Sequence, residues 1–125
     1  MTTLNSILND AAIGMDFYIL LGDFLDEFYR AEQETRQAMI SERPSVQDTP
    51  KEYLSFAASV AHKLANEYKL NVPKWVFEPS CYLPGKQPFF GCNAKGKLRL
   101  LFMYTSPAEF KHRNLFVDEN VLARV

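Results

Sequence analysis

The side chains able to do chemistry in this chain are few. Cys81, Cys92, His62 and His112 are of the types that hold zinc, but Cys-x10-Cys lacks the close cysteine pair that usually anchors such a site. A nucleophilic Cys92 would need an imidazole beside it, and no spacing fixes His62 or His112 there. Asp16, Asp23 and Glu27 share one side of a helical wheel, the arrangement in which paired carboxylates hold Mg²⁺ or share a proton. Arg30 and Glu34 continue that stripe, so a solvated helix face is the expected reading. Gly85-Lys86 and Gly96-Lys97 lack the Gly-x4-Gly-Lys-Ser/Thr spacing whose backbone N–H groups cradle phosphate. No catalytic residue, metal or cofactor is expected.

A basic cluster remains. Lys95, Lys97 and Arg99 precede Lys111, His112 and Arg113, with Phe90, Phe102, Tyr104 and Phe110 interleaved. Cations with aromatic rings track a nucleic-acid backbone and stack bases. Here the aromatics sit in apolar runs that read as core, and no recognition helix accompanies them. Residues 1–70 carry six Lys/Arg against eleven Asp/Glu, a net of −5, and residues 71–125 carry eight against four, a net of +4. The two halves either attract each other within the fold or mark faces with different partners.

The elements that must position these groups are mostly helical. A short helix is expected over residues 3–11, capped by Thr3 or Asn5. Over residues 13–34, Phe17, Leu21, Phe24, Leu25 and Phe28 fall on one arc with Tyr18 and Tyr29 at its edge, while Ile19 and Leu20 lie outside it. Residues 35–48 begin helical and break at Ser41-Glu42-Arg43-Pro44-Ser45. Thr49-Pro50-Lys51-Glu52 reads as a capping box with proline at the first helical position. Behind it Leu54, Ala57, Ala58, Ala61, Leu64, Ala65 and Tyr68 recur at helical spacing. That small-residue stripe suits close packing against the Phe-rich face of residues 13–34.

Residues 71–97 hold four of the seven prolines and three of the five glycines, with Trp75, Phe77, Tyr82, Phe89 and Phe90 among them. They read as an irregular wrap pinned to the core by aromatics, with a turn at Pro84-Gly85. Residues 97–105 are apolar enough to be buried as helix or strand, and their Leu and Met content favours helix. Ser106-Pro107-Ala108-Glu109 is a second capping box, and Asp118 stands where it would cap a short helix over residues 119–125. The expected fold is therefore mainly α, one domain over residues 1–125 of the 125-residue chain, with α+β through a short strand at 97–105 as the alternative.

No stretch approaches the roughly 20 apolar residues that span a bilayer. The start, Met1-Thr2-Thr3-Leu4-Asn5, lacks a signal peptide's basic and apolar regions. Two cysteines make no disulfide framework. A cytoplasmic location is the expectation.

The segment from Thr105 to Val125, TSPAEFKHRNLFVDENVLARV, together with Val72-Pro73-Lys74-Trp75-Val76, resembles a group of small, poorly characterised bacterial proteins. Their C-terminal pattern runs from Ser-Pro through an aromatic and two or three basic residues to a short apolar step and an acidic turn. Such proteins are often encoded beside a predicted nucleotidyltransferase as its presumed antitoxin. The resemblance implies a toxin–antitoxin partner and carries over no catalytic residue. Some of the group have a helix-turn-helix region upstream; the N-terminal half here is acidic and Phe-rich, so no DNA-binding role follows.

The function expected is a non-enzymatic protein-binding accessory, an antitoxin-like partner of a cognate enzyme being its specific form. Lys111, Arg113 and Asn114, expected to be exposed at the end of a short helix, are the candidate interface. The alternatives are a nucleic-acid-binding module using the basic C-terminal half and an enzyme of unrecognised type. The expected partner is another protein, not a membrane.

Overall fold

A computed structural model describes residues 2–45, 50–83, 89–90, 106–113, 115–117 and 122. Over these the chain is mainly helical: α1 (Leu4–Ala12), α2 (Phe17–Arg30), α3 (Gln33–Ser41), α4 (Lys51–Tyr68) and a short α5 (Ala108–Lys111). Two 3-10 turns, Lys74–Phe77 and Pro79–Cys81, follow α4. Two short strands, β1 (Phe89–Phe90) and β2 (Leu115–Phe116), pair in parallel with Phe89 opposite Leu115. The expected Thr49 cap, the Pro84-Gly85 turn, the helix-or-strand segment 97–105 and the Asp118 cap lie outside the described residues.

α1 and α2 start at side-chain caps, whereas α3, α4 and α5 have none at their N-termini. Thr3 and Ser6 form a reciprocal box at the head of α1: Ser6 N donates to Thr3 Oγ1 (3.1 Å) and Thr3 N to Ser6 Oγ (3.0 Å). Leu4, Ile7 and Leu8 then fall on one buried stripe. The long helix expected over 13–34 is interrupted at both ends. Gly14 takes φ +107°, open to glycine without strain, and ends the first helical run. Asp16 Oδ1 then accepts from Tyr18 N (2.9 Å) and Ile19 N (3.2 Å) to start α2. At the far end Ala31 is extended, and Arg36 of α3 donates to the carbonyls of Phe28 and Tyr29, both at 3.0 Å. A cation on the last carbonyls also suits the helix dipole. The expected arc is the buried one: Phe17, Leu21, Phe24, Leu25 and Phe28 all face the core.

α4 is the axis of the molecule. Ser55 through Ala61 are buried without a break, two full turns with no solvent side. A helix covered all round needs small side chains, and Ala57, Ala58, Ala61 and Ala65 supply them. The expected pairing of this stripe with the Phe-rich face of α2 takes a different form. The backbones that come close to α4 belong to α1, the two 3-10 turns and α5. α2 reaches it through rings: Phe17 stacks on Tyr53 at 4.6 Å and 9°, and Phe28 meets Tyr68 edge-on at 5.5 Å. The helix ends at Lys69, whose left-handed φ of 57° lets Leu70 N donate back to Ala65 O (2.9 Å).

The segment after α4 is a wrap pinned by aromatics. Trp75 is buried, and its indole N–H donates to Ile40 O of α3 (3.0 Å). Asn71 pairs with the Gln37 amide as one strand pairs with another: Asn71 N donates to Oε1 (2.7 Å), and Nε2 donates to Asn71 O (3.0 Å). The second capping box is not formed. Pro107 is the N-cap of α5 and makes no side-chain cap bond. The Ser106 hydroxyl instead donates to Val117 O (2.8 Å) and accepts from Val117 N (2.7 Å), closing residues 106–117 into a loop. Closure leaves Phe110, Leu115 and Val117 buried in the same core as the helices.

Because α4 has no free side at Ala61, a larger residue there must displace neighbouring backbone. Ala61→Leu is expected to lower stability by about 1–3 kcal/mol. Ala38→Leu on the exposed side of α3 should stay within about 0.5 kcal/mol. Urea unfolding midpoints of the two variants measure the difference.

Candidate functional site

The expected interface does not survive at its central residue. Arg113 is fully buried, not exposed at a helix end. Lys111 is half-buried, and Asn114 lies outside the described residues. The cause is backbone accounting. The 3-10 turn at Lys74–Phe77 and the short helix α5 leave carbonyls inside the protein that need donors. Arg113 supplies them, with Nε (3.3 Å) and Nη2 (2.8 Å) both donating to Val76 O and Nη1 donating to Glu109 O (2.9 Å). The guanidinium also lies over the Tyr82 ring (5.1 Å) and beside Phe77 (5.9 Å). Its remaining contact is His62 Nδ1 of α4, 3.2 Å from Nη1. A guanidinium has only donors, so Nδ1 accepts and the imidazole there is neutral. Burial, and then the Arg113 charge, push the His62 pKa below its ordinary value.

The other chemical candidates have structural occupations. Asp16 caps α2, and the Glu27 carboxylate accepts from Thr2 N (3.1 and 3.3 Å). Those bonds pull the Glu27 pKa down. Cys81 is buried, its thiol donates to Trp75 O (3.4 Å), and burial pushes its pKa up, away from thiolate. Among the described residues no three of His, Cys, Asp and Glu gather where they could hold a metal. Of the basic cluster, Phe110 and Arg113 are core, while Cys92, Lys95, Lys97, Arg99, Phe102, Tyr104 and both Gly-Lys pairs lie outside the described residues.

Two concave regions flank the ion pair between Arg43 Nε and Glu78 (2.7 and 2.9 Å). One, of about 610 Å³, is bounded by Gln37, Asn71, Pro73 and Lys74. The other, of about 380 Å³, is bounded by Leu8, Lys51, Leu54 and Cys81. Trp75 borders both. Their polar groups largely satisfy one another: Arg43 binds Glu78, and Gln37 binds Asn71 and Ser41.

The feature that sequence reasoning missed is an apolar elbow between α1 and α2. Ile13 is 81% exposed, Met15 51%, Tyr18 43% and Ile19 67%. Single exposed apolar residues are ordinary, but four within seven positions are not. The signal was Ile19, which falls off the buried arc of its own helix. The elbow is packed from beneath by aromatic rings. Phe17 packs edge-on to Tyr18 (5.4 Å) and Phe56 (5.8 Å), and Tyr18 edge-on to Tyr53 (6.0 Å). Partial burial and the Tyr53, Asp16 and Glu52 groups raise the Tyr18 pKa, so its hydroxyl stays a donor. Elsewhere, no helix among the described residues is long and apolar enough to cross a membrane.

No family model matches the chain, and no curated protein or solved structure is significantly similar to it.

Removing the guanidinium would leave the buried Val76 carbonyl and the part-buried Glu109 carbonyl without this donor and open a void. Arg113→Ala is expected to lower stability by at least ~3 kcal/mol. Arg113→Lys, with a compact ammonium in place of the planar fork, should fall between it and the parent. Chemical denaturation ranks the three proteins. His62 gives a pH signature of defined sign. Its folded pKa lies below the ordinary 6.5, so the unfolded chain takes up the proton first as pH falls. Stability should therefore drop as pH falls through 6.5 toward the folded value. His62→Gln, which keeps an acceptor for Arg113, should flatten that part of the unfolding-versus-pH curve. Any acid loss from Glu27 lies lower, below its ordinary 4.5.

Proposed function

We propose that this chain is a non-enzymatic protein-binding accessory whose contact surface is the elbow at Ile13, Met15, Tyr18 and Ile19. One observation carries the reading: four large apolar side chains stand in water on a backbone fixed by Gly14, by the Asp16 cap and by the Phe17 ring cluster. Covering an isoleucine side chain on binding is worth about 1.5–3 kcal/mol. A preformed patch loses little of that gain to ordering. The Lys111, Arg113 and Asn114 surface is not retained, since its arginine is spent inside the protein. An antitoxin-like role toward a cognate enzyme is the specific form of this reading, and it rests only on the resemblance carried by residues 105–125 and Val72-Pro73-Lys74-Trp75-Val76.

A tagged pull-down from the host extract, read by mass spectrometry, tests the proposal. The parent chain is expected to elute with a stoichiometric second protein. An Ile13→Asp/Ile19→Asp variant, both sites being exposed, should keep the parent's circular dichroism and melting temperature and lose that protein. Equal capture by parent and variant would remove the elbow from the interface. Elution of the chain alone would end the protein-binding reading.

A further inference from the structure

Charge around the elbow narrows what can sit on it. Residues 1–29 contain Asp10, Asp16, Asp23, Asp26 and Glu27 and not one Lys or Arg. Asp16 is exposed within the elbow, and Asp23 is exposed one helical turn beyond Ile19 on α2. Across the seam, Glu52 of α4 lies close enough to act on Tyr18. The first cation on α2 is Arg30, eleven residues past Ile19, with its Nε donating to Asp26 O (3.1 Å). Lys51, beside Glu52, borders the concave region lined by Leu8 and Leu54. The elbow is thus an apolar patch with an acidic rim.

That rim separates the possible occupants. A second copy meeting the same patch about a two-fold axis would set acid against acid. An anionic membrane surface would be repelled by the same carboxylates. A segment carrying apolar anchors at helical spacing with Lys or Arg on its flanks satisfies both the patch and its rim. We propose that the elbow receives a basic amphipathic segment of another protein, its apolar side chains on Ile13, Met15, Tyr18 and Ile19 and its cations toward Asp10, Asp16 and Asp23. This rests on the protein-binding reading above and adds the chemistry of the partner.

The test titrates the isotope-labelled full chain with a Leu/Lys amphipathic peptide of about 18 residues, five helical turns, and follows amide shifts. The same peptide with every Lys replaced by Glu, and phosphatidylserine-containing vesicles, are the other probes. The Leu/Lys peptide is expected to move the amides of residues 12–23, with an affinity that falls as salt rises from about 50 to about 300 mM. An Asp10→Lys/Asp23→Lys variant should bind it about tenfold more weakly, while the Glu peptide and the vesicles leave the elbow unmoved. Equal binding of the Glu peptide, vesicle binding, concentration-dependent dimerisation through the elbow, or no movement of elbow amides with the Leu/Lys peptide would each overturn the inference. If the host pull-down still shows capture that depends on Ile13 and Ile19, the partner chemistry is wrong and the protein-binding reading stands. If that capture is also absent, both fail.

Discussion

Arg113 joins three parts of the chain at one buried point, where α4 and α5 are otherwise bridged at the surface by Asn66 Nδ2 donating to Glu109 Oε1 (3.2 Å). Its guanidinium satisfies a carbonyl of the 3-10 turn after α4, a carbonyl of α5 and a ring nitrogen of α4 itself. A buried cation is costly unless its donors are used and its surroundings are polarisable. Two carbonyls and an imidazole occupy four of its five N–H donors, and the rings of Tyr82 and Phe77 supply that surrounding, with no carboxylate among the described residues bonded to it. The arrangement works in both directions, because the short 3-10 and helical pieces cannot bury their own carbonyls without such a donor. Leu83 N also donates to Arg113 O (3.3 Å), so the residue is held by main chain as well as side chain.

The same constraint explains the shape of α4. A helix wrapped on every side has no polar face on which to place its serines. Ser59 donates to Ser55 O (2.9 Å), and the Ser55 hydroxyl has no hydrogen-bond partner among the described residues. The site at Ser55 is fully buried and takes a small side chain, since a leucine would overfill the space. Small residues along α4 let irregular chain press close, and Arg113 makes irregular chain tolerable there. The Ser106 clasp on Val117 then fixes the loop that carries Arg113.

Helices defined by period and punctuation were legible. Thr3 marks α1, the Phe arc is the buried face of α2, and the alanine-rich run lies within α4. Boundaries set by a single residue's conformation were harder. Gly14 and Asp16 divide what the hydrophobic pattern joins, because a wheel counts apolar spacing and does not see a positive φ. Ser106 shows the limit of local motif reading. Its capping-box pattern is intact, yet a strand-like partner eleven residues on outcompetes the cap. Arg113 was misplaced for the same reason: its value depends on carbonyls at Val76, remote in sequence, and no local pattern announces a buried acceptor.

The elbow stands apart from this economy of donors and acceptors. Ile13 and Ile19 keep most of their surface in water in the folded chain, so they add little to the driving force for folding. Folding therefore gives no account of why these positions are isoleucine. Asparagine or lysine would leave the Asp16 cap, the Gly14 turn and the Phe17 ring cluster untouched. The hydrophobic gain available to them arises only when something else covers them, and then nearly all of it appears as association. The inner face of the elbow, Phe17 against Tyr53 and Phe56, belongs to stability; the outer face is free to answer to a partner.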